Sequence, residues 1–494
     1  MKNLLPKLRF TLFLFMLLGI IQIAAAYDFV SGGIYYKITS STNMTVEVTY
    51  LNKTNNAYSG TVTIPEKVTH DSKTYYVTAI GEYAFVGCTG LKGVNFASER
   101  TTSIGNYAFQ GCNGLTSFVI PPHITSIGNY VFNACYGVTG IVIEESEETL
   151  SFGYGCSKGQ TYGLFNDCPL YSVFIGRPLS YNTSSNYGYS PFAKLTTLVK
   201  ARLGNHLPNI YNYLFYGCTS LATMEYNSQF KPTSVGSYAF SGCKAMTWDA
   251  LNLPQSVKTI GSYAFSNCTK FTSLVIKPHI TTINDYAFYG CTAVTGVTIE
   301  ESEETLSLGY GCSKGQTYGL FNDCPLYSVF IGRPLSYNTS SNYGYSPFAK
   351  LTTLEKARLG KKLTLVPNYL FYGCTHLNEV TCCAVTPPTA NTNCFANYDA
   401  TLYVPKGSVS AYKNAAVWKD FYSIIGVDIV DSLPGDVDGN DKVNITDVTS
   451  LIDYLLAGNT SVINTTNADV NGDGRINITD VTDLIDYLLS GQWN

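Results

Sequence analysis

Apolar residues along this chain recur with a period far longer than a helical turn or a strand pleat. Phe85, Phe109, Phe132, Phe165, Phe192, Phe215, Phe240, Phe265, Phe288, Phe321, Phe348, Phe371 and Phe395 stand 23 to 27 residues apart, with two intervals of 33. Most sit in the phrase Ile-Gly-x-Tyr-Ala-Phe-x-x-Cys-x-x-Leu, as in Ile104 to Phe109 followed by Cys112 and Leu115. A short alternating run ending in Ile comes next, such as Leu274-Val275-Ile276 or Val297-Thr298-Ile299, and predicts one strand per unit. A unit of this size cannot bury its own Ile, Phe, Cys and Leu, so neighbours must stack and share a continuous core. Thirteen units at a strand spacing of ~4.8 Å predict a body roughly 60 Å long. Its strands would line one face as a parallel sheet, with the Ile-Gly-x-Tyr-Ala-Phe segments forming turns and short helical pieces on the other.

Both ends of such a stack need covers. The alternating β-formers Thr45 to Tyr50 mark residues 27–79 as a β-rich N-terminal cap, and Leu402 to Ile425, with Trp418 and Tyr422, closes the other end. The repeat phrase resembles that of the BspA-type leucine-rich-repeat proteins of bacterial cell surfaces, over about residues 79–425. The resemblance implies an adhesin-like role, with a host or microbial surface protein or glycan as partner.

Residues 144–204 reappear as 300–360 with two changes, Phe152 to Leu308 and Val199 to Glu355. Polar loops match as well as core positions, which points to a recent tandem duplication of 156 residues. Each copy carries a 33- and a 27-residue interval, and the extra residues, around 154–156 and 181–187 and again at 310–312 and 337–343, are rich in Tyr, Asn, Ser and Gly. Such loops suit polar contact with a protein or glycan; the alternative is a harmless surface excursion.

The first residues have another pattern. Lys2, Lys7 and Arg9 precede an apolar run from Phe10 to Ile23 and then Ala24-Ala25-Ala26, the layout of a secretory signal peptide removed after Ala26. The run is short for a bilayer, no cysteine follows it to carry a lipid, and no later stretch is long and apolar enough to span. The mature chain is therefore expected to be secreted or held at the cell surface, with no transmembrane segment. In that setting fifteen cysteines would ordinarily predict disulfides. Ten of them, from Cys88 to Cys374, occupy the position three after the Phe, and Leu195 and Leu351 replace Cys there in two units. The slot thus asks for a small apolar group, and these are expected to be buried free thiols. Cys156, Cys312, Cys382, Cys383 and Cys394 lie off this ladder.

Charge separates the last part from the rest. From Val427 onward there are twelve Asp, no Glu and only two basic residues, a net of −10 in a chain that totals −4. Two segments there align 33 residues apart. Asp436, Asp438, Asn440, Asn444 and Asp447 fall at positions 1, 3, 5, 9 and 12 of one loop, and Asp469, Asn471, Asp473, Asn477 and Asp480 at the same positions of the other. Calcium takes six to eight oxygen ligands, and an EF-hand-like loop offers them at this spacing with a main-chain carbonyl at position 7, here Lys442 and Arg475. Two calcium ions are expected. Asp441 stands at position 6, where the sharp turn favours Gly, as at Gly474. Apolar residues at helical spacing follow each loop: Leu451, Ile452 and Leu455, then Leu484, Ile485 and Leu488. The pair resembles a dockerin module, which ends its loops in Asp. That resemblance implies docking to a cohesin-type domain through positions 10 and 11, which are Ile445 and Thr446, and Ile478 and Thr479. A calcium-stabilised module that contacts something else is the alternative. Between repeats and tail, Asp431-Ser432-Leu433 resembles a bacterial O-glycosylation signal.

Other functions lack their chemistry. No basic stripe serves nucleic acid. The Glu144 to Glu148 cluster and its copy at 300–304 are most simply a solvated edge; of five His, His123 and His279 are copies of one Pro-His-Ile turn with no Cys or Asp spacing around them for a metal or nucleophile site. A non-enzymatic chain is expected: signal peptide (1–26), β-rich cap (27–79), leucine-rich-repeat solenoid with its C-terminal cap (80–426), linker (427–433) and all-α dockerin-like calcium-binding domain (434–494). Two binding roles stay open. One is an adhesin for surface proteins; the other is a glycan-binding or structural subunit of a dockerin-cohesin complex on polysaccharide.

Overall fold

The computed structural model describes residues 26–52, 58–153, 164–165, 167–182, 189–309, 319–338, 345–429, 435–438, 443–457, 463–471 and 475–490. The chain is a parallel-stranded solenoid of about thirteen turns with a short helical region at its C-terminus.

One face is a parallel sheet built from the expected strands. Ser117–Ile120, Gly140–Ile143, Ser172–Ile175, Lys200–Leu203 and Thr223–Tyr226 pair in register. A second run of seven extends from Ser273–Ile276 to Ser423–Val427. The sheet is interrupted between them because the intervening unit forms a short helix, Trp248–Leu251, where its neighbours form a strand. Trp248 closes the gap by donating its indole N–H to the Val275 carbonyl at 3.2 Å.

The other side differs from the sequence expectation of turns and helical pieces. Two- and three-residue strands, such as Ser103–Ile104, Ser126–Ile127 and Leu150–Phe152, form a second narrow parallel ladder. It runs on from the cap, whose strand Lys73–Ile80 pairs with Ser103–Ile104. In the cap itself Phe29–Ser31, Ile34–Ser40 and Thr45–Thr49 pair antiparallel, and Thr45–Thr49 then pairs parallel with Lys73–Ile80. After each short strand the backbone turns without helix, and main-chain groups bond from one unit to the next: Phe85 N–H to Ala108 O at 2.7 Å, Phe240 N–H to Ala264 O at 2.8 Å. The Gly of Ile-Gly is required by this close approach. A Cβ on Gly105 or on Gly261 would sit 2.6 Å from a main-chain nitrogen of the preceding unit.

Stacking settles the Phe and Cys positions. Ladder phenylalanines lie face to face along the axis, Phe85 on Phe109 at 5.0 Å and Phe240 on Phe265 at 5.5 Å, and are fully buried. The described cysteines are free and buried. Each ladder thiol from Cys112 onward points at the carbonyl of the preceding unit's Phe, as with Cys112 to Phe85 O at 3.0 Å and Cys218 to Phe192 O at 3.0 Å. The slot therefore takes a small group that can also donate weakly, a refinement of the apolar reading. Burial pushes several of these thiols up, among them Cys112, Cys243, Cys268 and Cys374, the last to about 12, which keeps those thiols protonated; a hydrogen bond from Cys168 shifts Cys135 the other way. Cys156 and Cys312 lie outside the described residues.

Tyrosines two before the Phe adopt the left-handed region, with φ of 60° at Tyr83, 55° at Tyr107 and 58° at Tyr238. That conformation is uncommon for a bulky residue. Here it turns the rings outward into half-exposed stacks, Tyr213 on Tyr238 at 4.9 Å and Tyr238 on Tyr263 at 4.7 Å, whose contact offsets part of the backbone cost.

Candidate functional site: the acidic tail

Two helices, Ile445–Leu456 and Ile478–Ser490, pack against each other in the tail. Each starts at position 10 of an acidic loop. Position 9 is then the helix N-cap and position 12 the third helical residue, so the spacing that suits calcium also builds a capping box. Asn444 accepts from Thr446 N–H at 2.9 Å, and Asp447 Oδ2 accepts from Asn444 N–H at 2.8 Å. The second loop repeats this, with Thr479 N–H donating to Asn477 at 2.9 Å and Asn477 N–H to Asp480 Oδ2 at 2.8 Å. The remaining oxygen of each position-12 Asp turns back into its loop: Asp447 Oδ1 accepts from Asp438 N–H at 3.1 Å, Asp480 Oδ1 from Val470 N–H at 2.9 Å.

Carboxylates converge as a result. Ligand oxygens of Asp436, Asp438 and Asp447 lie within 4.8 Å of one another, while Asp436 and Asp447 are buried. Desolvation pushes the Asp447 carboxyl up, against main-chain N–H donors that hold it down, and the Asp438 charge adds to the rise. Oxygen-only donors with uncompensated negative charge fit a hard divalent cation. Asp436, Asp438, Asn444 and Asp447 are the described members of the first ligand set, and Asp469, Asn471, Arg475, Asn477 and Asp480 of the second. Asn440, Lys442 and Asp473 lie outside the described residues, as does Asp441.

Positions 10 and 11 of each loop stand beside these residues. Ile445 and Ile478 are each 66% exposed, unusual for isoleucine at the start of a packed helix. Thr446 donates its hydroxyl to Asp438 Oδ2 at 2.9 Å, and Asn471 donates to the Thr479 hydroxyl at 3.1 Å. In both loops position 3 thus touches position 11 through a hydrogen bond.

On the solenoid the Glu cluster is more than a solvated edge. Glu145 reaches across three units: its carboxylate accepts from Asn205 N–H at 3.1 Å and from the Asn227 amide at 2.7 Å. Arg177, fully buried, donates to the carbonyls of Pro121 and Pro122, and its copy Arg333 to those of Lys277, Pro278 and Ile280. Repetition of Gly-Arg-Pro in both copies was the available signal for these staples. The insertion loops around 154–156, 183–187, 310–312 and 339–343 lie outside the described residues.

A parallel-stranded repeat solenoid followed by a helix pair with a convergent carboxylate cluster defines the class: a binding body with an EF-hand-like tail. The chain belongs to the BspA type leucine rich repeat family, whose repeat matches in six copies over residues 54–156, 185–312 and 317–416. A dockerin type I domain matches residues 434–489. No curated protein matches the chain. Similar solved structures include a leucine-rich repeat protein from Bacteroides ovatus, 22% identical over 81% of this chain and 100% of that one, TM-score 0.48. Another is the pneumococcal vaccine antigen PcpA, 16% identical over 82% of this chain and 100% of that one, TM-score 0.35. A third, the leucine rich repeat protein of T. pallidum, is 21% identical over 48% of this chain and 99% of that one, TM-score 0.34.

Both matched modules are non-catalytic binding and assembly modules, and no enzymatic domain is seen among the matches. Dockerins of this type generally bind calcium and bind cohesin domains, and proteins of both kinds are typically extracellular or at the cell surface. The combination is that of a bacterial surface or cellulosome-type protein that attaches through its dockerin. Among the described residues no helix is long and apolar enough to cross a membrane.

Proposed function

We propose that this chain is an exported, adhesin-like binding protein. Its solenoid (80–426, behind the cap 27–79) engages protein or glycan surfaces, and its tail (434–494), reached through the linker 427–433 after removal of residues 1–26, holds two calcium ions and docks to a cohesin-type domain. The observation that carries the docking half is the pairing of an exposed Ile with a Thr tied to a candidate ligand, at Ile445 and Thr446 and again at Ile478 and Thr479. An ion held by Asp436, Asp438, Asn440, the Lys442 carbonyl, Asn444 and Asp447 fixes the Asp438 carboxylate and with it the Thr446 hydroxyl. Asp469, Asn471, Asp473, the Arg475 carbonyl, Asn477 and Asp480 do the same for the second ion. Docking is therefore calcium-dependent in this reading.

The test is capture by the immobilised full chain in calcium, elution with chelator and sequencing of what elutes. Recovery of a cohesin-bearing protein that Ile445→Asp combined with Ile478→Asp abolishes is the expected result. Capture that ignores calcium or these substitutions overturns the docking assignment.

A further inference from the structure

A trough runs along the turn face of the solenoid, beside the tyrosine stacks, from Lys194 to Asp323. It crosses five unit spacings, about 24 Å at the strand repeat, and holds ≈ 570 Å³. The geometry points to a binding groove for an extended, neutral polysaccharide chain. This rests on the reading of the solenoid as a binding body and names the ligand class that body takes.

Shape comes first. An open trough parallel to the axis admits a polymer and gives a small molecule little enclosure. Its floor is bare backbone at Gly217, Gly242 and Gly290, which occupy the left-handed position two after the Phe with φ of 70°, 77° and 71°, while Asn267 holds that position in the unit between the last two and lays its side chain beside Gly290.

The floor's backbone donors are already used, which argues against a peptide. Gly217 N–H bonds Ser241 O at 2.8 Å, Gly242 N–H bonds Ser266 O at 2.7 Å, and Gly290 N–H bonds Asn322 O at 2.9 Å. An extended peptide gains affinity at such sites by main-chain pairing with an unpaired edge, and these floor positions present none. What the walls offer instead is side-chain hydrogen bonding from Thr219, Thr269, Thr292 and Asn267. Thr219, Thr269 and Thr292 share the position four after the Phe, with Lys244 holding it in the unit between Thr219 and Thr269, so hydroxyls recur along the trough as they do along a glycan.

Charge narrows the class. Lys194 and Lys244 lie toward one end and Asp323 at the other, so no row of one sign favours a polyanion or a basic chain. Tyr289 adds an aromatic wall. It meets Tyr263 and Tyr286 only in edge contacts, at interplanar angles of 64° and 79°. Among the described residues no ring stacks on its face, and the electron-rich face of an aromatic ring is the complement of a sugar's C–H face.

The test uses the full chain in native gels containing xylan, mixed-linkage β-glucan or galactomannan, with and without chelator. Retardation by at least one of them, unchanged by chelator, is expected. Tyr289→Ala combined with Thr269→Ala should weaken it roughly tenfold, about 1.4 kcal/mol. Thr292→Trp, a change at an exposed rim position that leaves the stack intact, should block the trough and weaken binding as much. Free migration in all three polysaccharides, or equal retardation of Thr292→Trp melting like the parent, overturns the proposal. Chelator-sensitive capture by the tail is scored separately, so failure of docking and failure of the groove are distinguishable.

Discussion

The solenoid and the tail solve one problem by opposite means. Along the solenoid a single buried apolar cluster runs from Phe29 in the cap to Phe421 at the far end, each unit closing the core of the next. Among the described residues of the tail the buried apolar set is Val437, Val448, Leu451, Ala468, Val481 and Leu484, beside buried Asp436, Asp447 and Asp480. So few apolar groups scarcely match the conformational entropy of ordering two helices and two loops, and the clustered carboxylates repel one another. A bound dication reverses that sign, so that metal affinity becomes folding free energy. Repetition lets one region share its core along the stack; the other gathers carboxylates whose repulsion a bound ion would relieve.

Chelation tests this contrast most severely. Calcium removal should abolish the helices Ile445–Leu456 and Ile478–Ser490 while the solenoid's melting transition stays in place, read by far-ultraviolet circular dichroism and calorimetry. Loss of both transitions together would break the distinction. Next in size is a cavity in the stack. Phe240→Ala removes a ring packed on Phe265 and should cost the solenoid about 3–5 kcal/mol in urea unfolding, with the calcium titration of the tail unchanged. A smaller effect is expected at the thiol ladder. Cys243→Ala loses the contact with the Phe215 carbonyl and should cost about 1 kcal/mol, whereas adding reductant should leave the melting midpoint where it was.

The smallest effect concerns pH. Burial lowers the pKa of His123 and of His279, helped at His279 by Lys258, Lys277 and Arg333. Between that lowered value and the ordinary value near 6.5, the unfolded chain binds more protons than the folded one. Solenoid stability should therefore fall as pH drops through this window and level off below it. His123→Gln with His279→Gln should flatten the slope in denaturant titrations from pH 7 to 4, without moving the tail's calcium midpoint.

Legibility in the sequence followed the length of each signal. Phe85 to Phe395 declared the stack because a wrong residue at any of those positions would open the shared core. The acidic loops were readable because coordination geometry fixes oxygen at set spacings. The second ladder was hidden, since Ser103–Ile104 or Thr259–Ile260 is too short to show alternation and is a strand only through its neighbours. Trp248–Leu251 looked like any other strand site, and its helix reflects local packing of the indole. Glu145 read as solvated because its partners, Asn205 and Asn227, lie far along the chain. The trough was invisible for a related reason: Gly217, Thr219, Thr269 and Tyr289 line one groove only after four units are stacked, although the recurrence of Gly two after the Phe was a usable cue.

The duplication has a mechanical consequence. Strands Gly140–Ile143, Ser172–Ile175 and Lys200–Leu203 and their copies Gly296–Ile299, Ser328–Ile331 and Lys356–Leu359 pair in the same register, so copying the block inserted six rungs, among which the sheet is interrupted once, at Trp248–Leu251. At ~4.8 Å per rung this lengthens the rod by about 29 Å and leaves the chemistry of both ends untouched. The solenoid is in this sense an adjustable spacer. Its reach from the tethered end is set in whole rungs by copying segments of sequence, and each step lengthens the lever on which any surface contact is carried.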